Sequence, residues 1–342
     1  MEIARRRNTR ARLRLKRLPL LALCFVSAAY PAFHSASHAR RQDQQDDEIV
    51  RVATDLVVLN VTATDAGNDY VHGLERANFK VYEDGQEQEI TNFSREETPF
   101  AAALLLDVSG SMEGRVSMAR AAAIRFLDGL RAEDTAAVYS FHRKVELVQG
   151  FSQSRDLSPM AYNLKAKGET ALHDAIVQAA KDLADRPEKR RAIIVLSDGA
   201  DTRSEASSDK ALAAALAINA TIYTVDMAEK LPGSFQPTPA AGVLRDYATK
   251  SGGRFVPTPG GRALRDAFGE ILEELSNQYT IGYRPSNRSP DDRWRSIEVK
   301  VDRADVKART RRGYRLSKKA KAKGVARSGQ FRDDRRAGLE IL

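Results

Sequence analysis

The sequence predicts an α/β fold, a doubly wound and mostly parallel sheet with a small antiparallel β-domain flanking it. Three observations predict this. Four apolar runs of strand length, Phe100 to Leu106, Thr135 to Phe141, Arg191 to Leu196 and Thr221 to Val225, punctuate the centre of the chain. Amphipathic stretches separate them, and near-continuous hydrophobicity marks strands buried on both faces between helix layers. Outside this centre, short segments alternate polar and apolar residues, the period of strands with one face on a core.

Taken in order, residues 1–39 open with Arg5, Arg6, Arg7, Arg10, Arg12, Arg14, Lys16 and Arg17, continue with an apolar run from Leu18 to Tyr30, and end in small residues near Ser37-His38-Ala39. This is the layout of a secretory signal peptide. The run is short of the ~20 residues a spanning helix needs, which favours a cleaved signal over a retained membrane anchor. It places the mature protein in the periplasm or outside the cell. Cys24, the single cysteine, lies inside this run, so neither a disulfide framework nor a cysteine-based metal site can be built. Residues 40–49 read as a flexible leader.

Residues 50–98 form an N-terminal β segment. Leu56 to Thr64 alternates as a half-buried strand. Phe79 to Tyr82 runs through Asp84-Gly85 into "QEQEITNF", a hairpin signal because both turn residues tolerate positive φ. The central domain spans 99–277, with helices expected near 115–130, 171–185, 207–219, 240–250 and 262–277. "KVELVQGF" follows the second core strand too closely for a crossover helix and reads as an antiparallel edge strand. Residues 278–316 return to β texture in "QYTIGY", "RSIEVKV" and "VKARTRRGY", expected to pack with the N-terminal β segment, with the sole tryptophan, Trp294, packed inside. Residues 317–342 read as a disordered basic tail, suited to electrostatic contact with an anionic envelope surface.

The formal charge of +9 is a property of the ends. Residues 1–39 carry +7 and 317–342 carry +5, which leaves −3 on 40–316. Charge is therefore no argument for nucleic-acid binding.

In an open α/β sheet, ligands gather beyond the carboxyl ends of the strands. The first core strand ends in "DVSGSM", which sets Asp107, Ser109 and Ser111 at that edge. The fourth ends in "LSDGAD" with Asp198, and the loop Gly168-Glu169-Thr170 lies between them. All are oxygen donors, the chemistry a hard divalent cation such as Mg²⁺ takes. The plain structural alternative is that Asp107, Ser109 and Ser111 cap a helix beginning near Gly114 and that Asp198-Gly199 is an ordinary turn. Glu113, Asp201 and Thr202 read as solvated loop residues near the rim.

Enzyme signatures are missing. His72, His142 and His173 show no zinc spacing, His34 and His38 fall in the signal region, and the chain has no nucleophile elbow, phosphate-binding loop or dinucleotide fingerprint. A phosphatase using an aspartyl intermediate needs an acid two residues after the first Asp, where Ser109 stands. The sequons at Asn60, Asn92, Asn219 and Asn287 matter only in a glycosylating host.

Over about residues 99–277 the chain resembles a von Willebrand factor type A domain, and the five residues match the family's metal-ion-dependent adhesion site. The D-x-S-x-S motif stands as Asp107, Ser109 and Ser111, the threonine loop as Thr170, and the second aspartate as Asp198. The resemblance implies a Mg²⁺ site, with Mn²⁺ or Ca²⁺ as alternatives, whose last position accepts an Asp or Glu from a protein partner. It also implies a non-enzymatic adhesion or scaffold module, and in this family such binding can be coupled to movement of the last helix, here near 262–277. The flanking β segments are similar to those of a bacterial family of secreted A-domain proteins. Two other readings stand beside this one: a metal-free structural subunit of a cell-envelope complex, and a metal-assisted hydrolase.

Overall fold

The computed structural model describes residues 56–95, 98–228, 239–258, 261–289 and 291–316. The expectations for the signal segment, the leader and the basic tail lie outside the described residues.

The chain enters through β1 (Val57–Thr64), β2 (Phe79–Glu83), β3 (Gln86–Gln88) and β4 (Ile90–Ser94). The α/β part follows as β5 (Phe100–Asp107), α1 (Val116–Asp128), β6 (Thr135–Phe141), β7 (Val145–Ser152), α2 (Leu172–Ala184), β8 (Arg190–Ser197), α3 (Ser208–Ala217), β9 (Ala220–Asp226), α4 (Pro239–Ser251), β10 (Phe255–Pro257) and α5 (Gly261–Ser276). It closes with β11 (Tyr279–Tyr283), β12 (Trp294–Val301), β13 (Lys307–Arg309) and β14 (Gly313–Arg315).

The central sheet has the order β10-β9-β8-β5-β6-β7, parallel throughout except for the antiparallel edge strand β7. Every residue of β5 is buried, and alternate residues feed different cores. Phe100, Ala102, Leu104 and Leu106 pack with Phe126 of α1 and Phe268 and Ile271 of α5. Ala101, Ala103 and Leu105 pack with Ile176 and Leu183 of α2, Ala215 of α3 and Leu244 of α4. Ala101, Ala102 and Ala103 occupy the first half of β5 and Leu104, Leu105 and Leu106 the second, between the two helix layers. The expected helices are all present, and the short strand β10, separated by Arg254 alone from the pair Gly252-Gly253, is an addition the sequence pattern does not signal.

The flanking β-domain consists of two four-stranded antiparallel sheets, β13-β1-β11-β4 and β14-β12-β2-β3, over one shared core that includes Leu59, Val61, Phe79, Val81, Tyr279 and Ile281. Asp84 and Gly85, with φ of 48° and 80°, form the expected turn between β2 and β3. Two expectations need correction. "QEQEITNF" is not one returning strand: β3 pairs with β2, whereas β4 pairs with β11 in the other sheet. "VKARTRRGY" likewise divides into β13, paired with β1, and β14, paired with β12. Each segment crosses from one sheet to the other, so its alternation is broken at the corner. Trp294 also departs from expectation, since it begins β12 at 40% exposure instead of packing in the core.

The junction between the two parts is polar and buried. Glu274 of α5, with no exposed surface, accepts hydrogen bonds from the hydroxyls of Tyr223 in β9 (2.8 Å) and Thr62 in β1 (3.3 Å). Its other oxygen lies 2.5 Å from Arg309 of β13 and 3.2 Å from Arg254. Burial, and then the Glu274 charge, hold the Tyr223 phenol well above its ordinary pKa, so it remains a neutral donor. A carboxylate buried this deeply persists because it is paired and hydrogen-bonded.

Close backbone approach also fixes this junction. Gly252, at the end of α4, has φ of 88°, and a Cβ there would lie 2.4 Å from the Arg311 nitrogen and 2.5 Å from the Thr310 carbonyl carbon. Gly114 has a similar φ of 79° but open space around it. Gly252→Ala should therefore cost roughly 2–4 kcal/mol, combining backbone strain with overpacking, whereas Gly114→Ala costs about 1 kcal/mol. Chemical denaturation of the two variants checks this, and equal losses would remove the packing argument.

Candidate metal centre

Strand β5 delivers Asp107 to the carboxyl edge of the sheet, and Val108 keeps its amide in the ladder by donating to the Phe141 carbonyl (2.9 Å). The chain then turns through Ser109, Gly110, Ser111 and Met112. Asp107 has no exposed surface. One carboxylate oxygen accepts from the Ser109 amide (2.8 Å) and the other from the Ser197 hydroxyl (2.6 Å). The Ser109 and Ser111 hydroxyls lie 3.0 Å apart. The capping half of the plain alternative does not hold, since α1 begins at Val116, its N-cap is Arg115, and no side chain caps it; the turn half does, since the Ala200 amide donates to the Asp198 carboxylate (3.3 Å).

Two further loops are laid against this turn by backbone hydrogen bonds. The Lys167 amide donates to the Val108 carbonyl (2.9 Å), the Gly110 amide to the Gly168 carbonyl (3.0 Å), and the Ala171 amide to the His142 carbonyl (2.7 Å). Gly168 has φ of 72°, which bends the loop so that the buried Thr170 follows. The third loop leaves β8 at Ser197. The Gly199 amide donates to the Ser197 hydroxyl (2.9 Å), so that hydroxyl joins Asp107 to the loop that bears Asp198. Gly199 has φ of 80°, and a Cβ there would meet the Ala240 carbonyl at 2.6 Å, so only glycine fits.

Asp201 and Thr202 do more than the solvated role expected of them. The Thr202 hydroxyl accepts from the Thr170 amide (3.0 Å), while the Thr202 and Arg203 amides donate to the Thr170 carbonyl (2.9 and 3.0 Å). Asp201 accepts from the His173 amide (3.0 Å) in the first turn of α2, supplying from another loop the cap that Ala171 cannot. Asp174 returns the tie through the Glu205 and Ala206 amides. Glu113 is exposed, as expected. The structure thus gathers Asp107, Ser109, Ser111, Thr170 and Asp198 on three mutually bonded loops. Ser197, which the sequence reading passed over, is the residue that ties two of them together. Its signal was its place beside Asp198 at a strand end, but nothing in the sequence shows which oxygen it bonds.

Electrostatics separates this cluster from ordinary loop chemistry. The Asp107 carboxyl is pushed up to about 6, first by burial and further by the charge of Asp198, against the lowering effect of the Ser109 and Ser197 hydrogen bonds. No cationic side chain among the described residues forms an ion pair with Asp107 or Asp198. The nearby Arg143 and Arg203 instead flank Glu169 (3.6 and 3.8 Å). His142 is held below its ordinary pKa by burial and by Lys167, so it stays neutral at pH 7. His173 places its ring 2.8 Å from the Tyr247 hydroxyl, and His72 is exposed. Among the described residues no group of three or more His, Cys, Asp and Glu side chains is placed to hold a metal. The donor set here is two carboxylates and three hydroxyls, which fits a hard cation and no soft one.

With this geometry in place, residues 102–200 match the family model of the von Willebrand factor type A domain, a family that generally serves in protein interaction. No curated protein matches the chain. Similar solved structures include a von Willebrand factor type A protein from Catenulispora acidiphila, 13% identical with a TM-score of 0.43 over 72% of this chain and 76% of that one. The vWF domain of the type V pili tip protein Mfa5 from Porphyromonas gingivalis is 14% identical, with a TM-score of 0.42 over 52% of this chain and 95% of that one. An aerotolerance-related membrane protein from Bacteroides fragilis is 18% identical, with a TM-score of 0.40 over 52% and 98%.

The raised Asp107 pKa carries a sign. The folded state holds this proton more tightly than the unfolded chain does, so the metal-free protein gains stability from this group as pH falls through about 6 toward 4. Asp107→Asn should therefore stabilise the protein in EDTA by roughly 1–3 kcal/mol at pH 7.5, with the gain shrinking toward zero at pH 4. Urea denaturation at the two pH values measures it, and a destabilised variant at pH 7.5 would contradict the uncompensated charge.

Proposed function

We propose that the chain is a non-enzymatic, metal-dependent protein-binding module, secreted or periplasmic, that holds Mg²⁺ through Asp107, Ser109, Ser111, Thr170 and Asp198. The observation that carries this reading is Asp107 itself, a wholly buried carboxylate under the charge of a second one, Asp198, with no cationic side chain among the described residues paired to either. Such an arrangement is costly in the bare protein and is relieved by a bound cation.

The chain's own residues supply orientation. The Ser109 amide and Ser197 hydroxyl fix the plane of the Asp107 carboxylate, and the Thr202 clamp fixes Thr170. The Ser109 and Ser111 hydroxyls bond each other and can turn outward to a cation without breaking a backbone interaction. When bound, Mg²⁺ balances the two carboxylate charges and keeps affinity for an incoming anion. Ser111 is exposed and Asp198 half-exposed, so a partner's Asp or Glu reaches this edge from solvent. Among the described residues no helix is long and apolar enough to cross a membrane. The competing reading is a metal-free structural role, favoured by the hydrogen bonds that both Asp107 oxygens already receive.

Thermal unfolding of the protein with Mg²⁺ or Mn²⁺ against EDTA, beside Asp107→Ala, decides between them. At a metal concentration about a hundredfold above Kd, the wild-type midpoint should rise on the order of 5 °C while the variant does not respond. A wild type as indifferent to metal as the variant would leave the structural role.

A further inference from the structure

A second site lies at the other end of the α/β part. A cleft of about 720 Å³ opens between α3 and the β-domain, at the level of Asn219, which precedes β9, whereas the Asp107 loops sit beyond the carboxyl ends of the strands. Its size is within the range of about 300–1,000 Å³ found for sites that take small molecules, and such sites favour domain junctions. Leu212 and Leu216 of α3 form one wall; Trp294, Tyr314 and Leu316 form the other. Trp294 is one of few large apolar side chains exposed in the described residues, and its exposed surface is turned into this cleft.

The polar groups of the cleft are almost all of one sign. Arg311, Arg312, Arg315, Lys210 and Lys250 line it, against the single acid Asp209. Lys250 is already paired with Asp246 (2.9 Å). Arg312 and Arg315 are exposed and form no ion pair among the described residues. Arg311 is 93% buried by its 7% exposure, donates one hydrogen bond to the Leu216 carbonyl (3.1 Å), and has no hydrogen-bond partner at Nε. It stands over the Tyr314 ring, 5.5 Å from its centre, and forms no ion pair among the described residues. Burial lowers its pKa, the mark of a desolvated charge that its surroundings do not fully offset. An apolar floor with a desolvated guanidinium and two free surface arginines recognises one kind of molecule: the arginines bind an anionic head, and the leucine and tryptophan surfaces take an apolar body.

We infer that this cleft is a binding site for a small amphipathic anion, an aliphatic or aromatic body carrying a carboxylate or phosphate. The site is independent of the metal centre, because none of its lining residues belongs to the three loops around Asp107. A ligand bound there contacts α3 and the β-domain together and braces one against the other.

The test uses the full-length chain and two probes, laurate below its micellar concentration and 1-naphthyl phosphate, measured by calorimetry. The fluorescence of Trp294, the only tryptophan in the chain, follows the laurate titration. Saturable one-to-one binding of at least one probe is expected, unchanged by EDTA, with Trp294 emission shifted to the blue by laurate if that probe binds. Dodecanol, which has the same chain without the charge, should bind roughly tenfold more weakly, as should the anionic probe to the double variant Arg312→Glu, Arg315→Glu. Both substitutions lie on the surface, so the fold is checked by circular dichroism and midpoint before binding is compared. Saturation by neither probe overturns the inference. So does binding of dodecanol equal to that of laurate, or undiminished binding by the folded double variant, since either would mean apolar adsorption without recognition of charge.

Discussion

Strand β5 is buried on both faces, and the rest of the structure is arranged around that constraint. A strand with helices on either side must send alternate residues into two separate cores, so Phe100, Leu104 and Leu106 are committed to α1 and α5 while Ala101, Ala103 and Leu105 are committed to α2, α3 and α4. Its backbone groups are satisfied by the parallel neighbours β6 and β8. The first polar side chain it carries, Asp107, therefore appears at the carboxyl edge of the sheet, still inside the protein, where loops and not strands must provide its partners. The candidate centre follows directly from ending a doubly buried strand on a carboxylate.

What those loops provide is restraint without neutralisation. Hydrogen bonds from Ser109 and Ser197 hold the Asp107 carboxylate, yet burial still raises its pKa and the neighbouring Asp198 raises it further. The contrast with Glu274 is instructive. That carboxylate is as deeply buried, but two arginines and two hydroxyls surround it, and it serves as a joint between α5 and the β-domain. Two buried acids in one chain thus have opposite surroundings, and only the one left unpaired has the character of a site.

Much of this was legible in the residues. Near-continuous apolar runs of strand length, alternating with amphipathic helices, identify parallel strands because a sheet between two helix layers is buried on both faces, and the helices between them follow from their period. The positions of Asp107 and Asp198 at the ends of β5 and β8 were readable for the same reason. Other features were not. "QEQEITNF" and "VKARTRRGY" look like single strands because local alternation is blind to which sheet a strand joins, and each changes sheet within a few residues. Trp294 looked like core because large aromatics usually are, but the packing of α3 against β14 leaves its ring facing a cleft.

The sequence by itself determined the class of fold, the order of its elements and the oxygen-rich chemistry at one edge of the sheet, since hydrophobic period and residue type are local quantities. Tertiary structure alone decided that Ser197 bonds Asp107, that Thr202 clamps Thr170, that no cation among the described residues pairs with either aspartate, and that Arg311 is buried in the wall of the cleft that Trp294 also lines. Each of these depends on groups far apart in the chain, and the energy of a charge or a polar atom is set by what surrounds it in space.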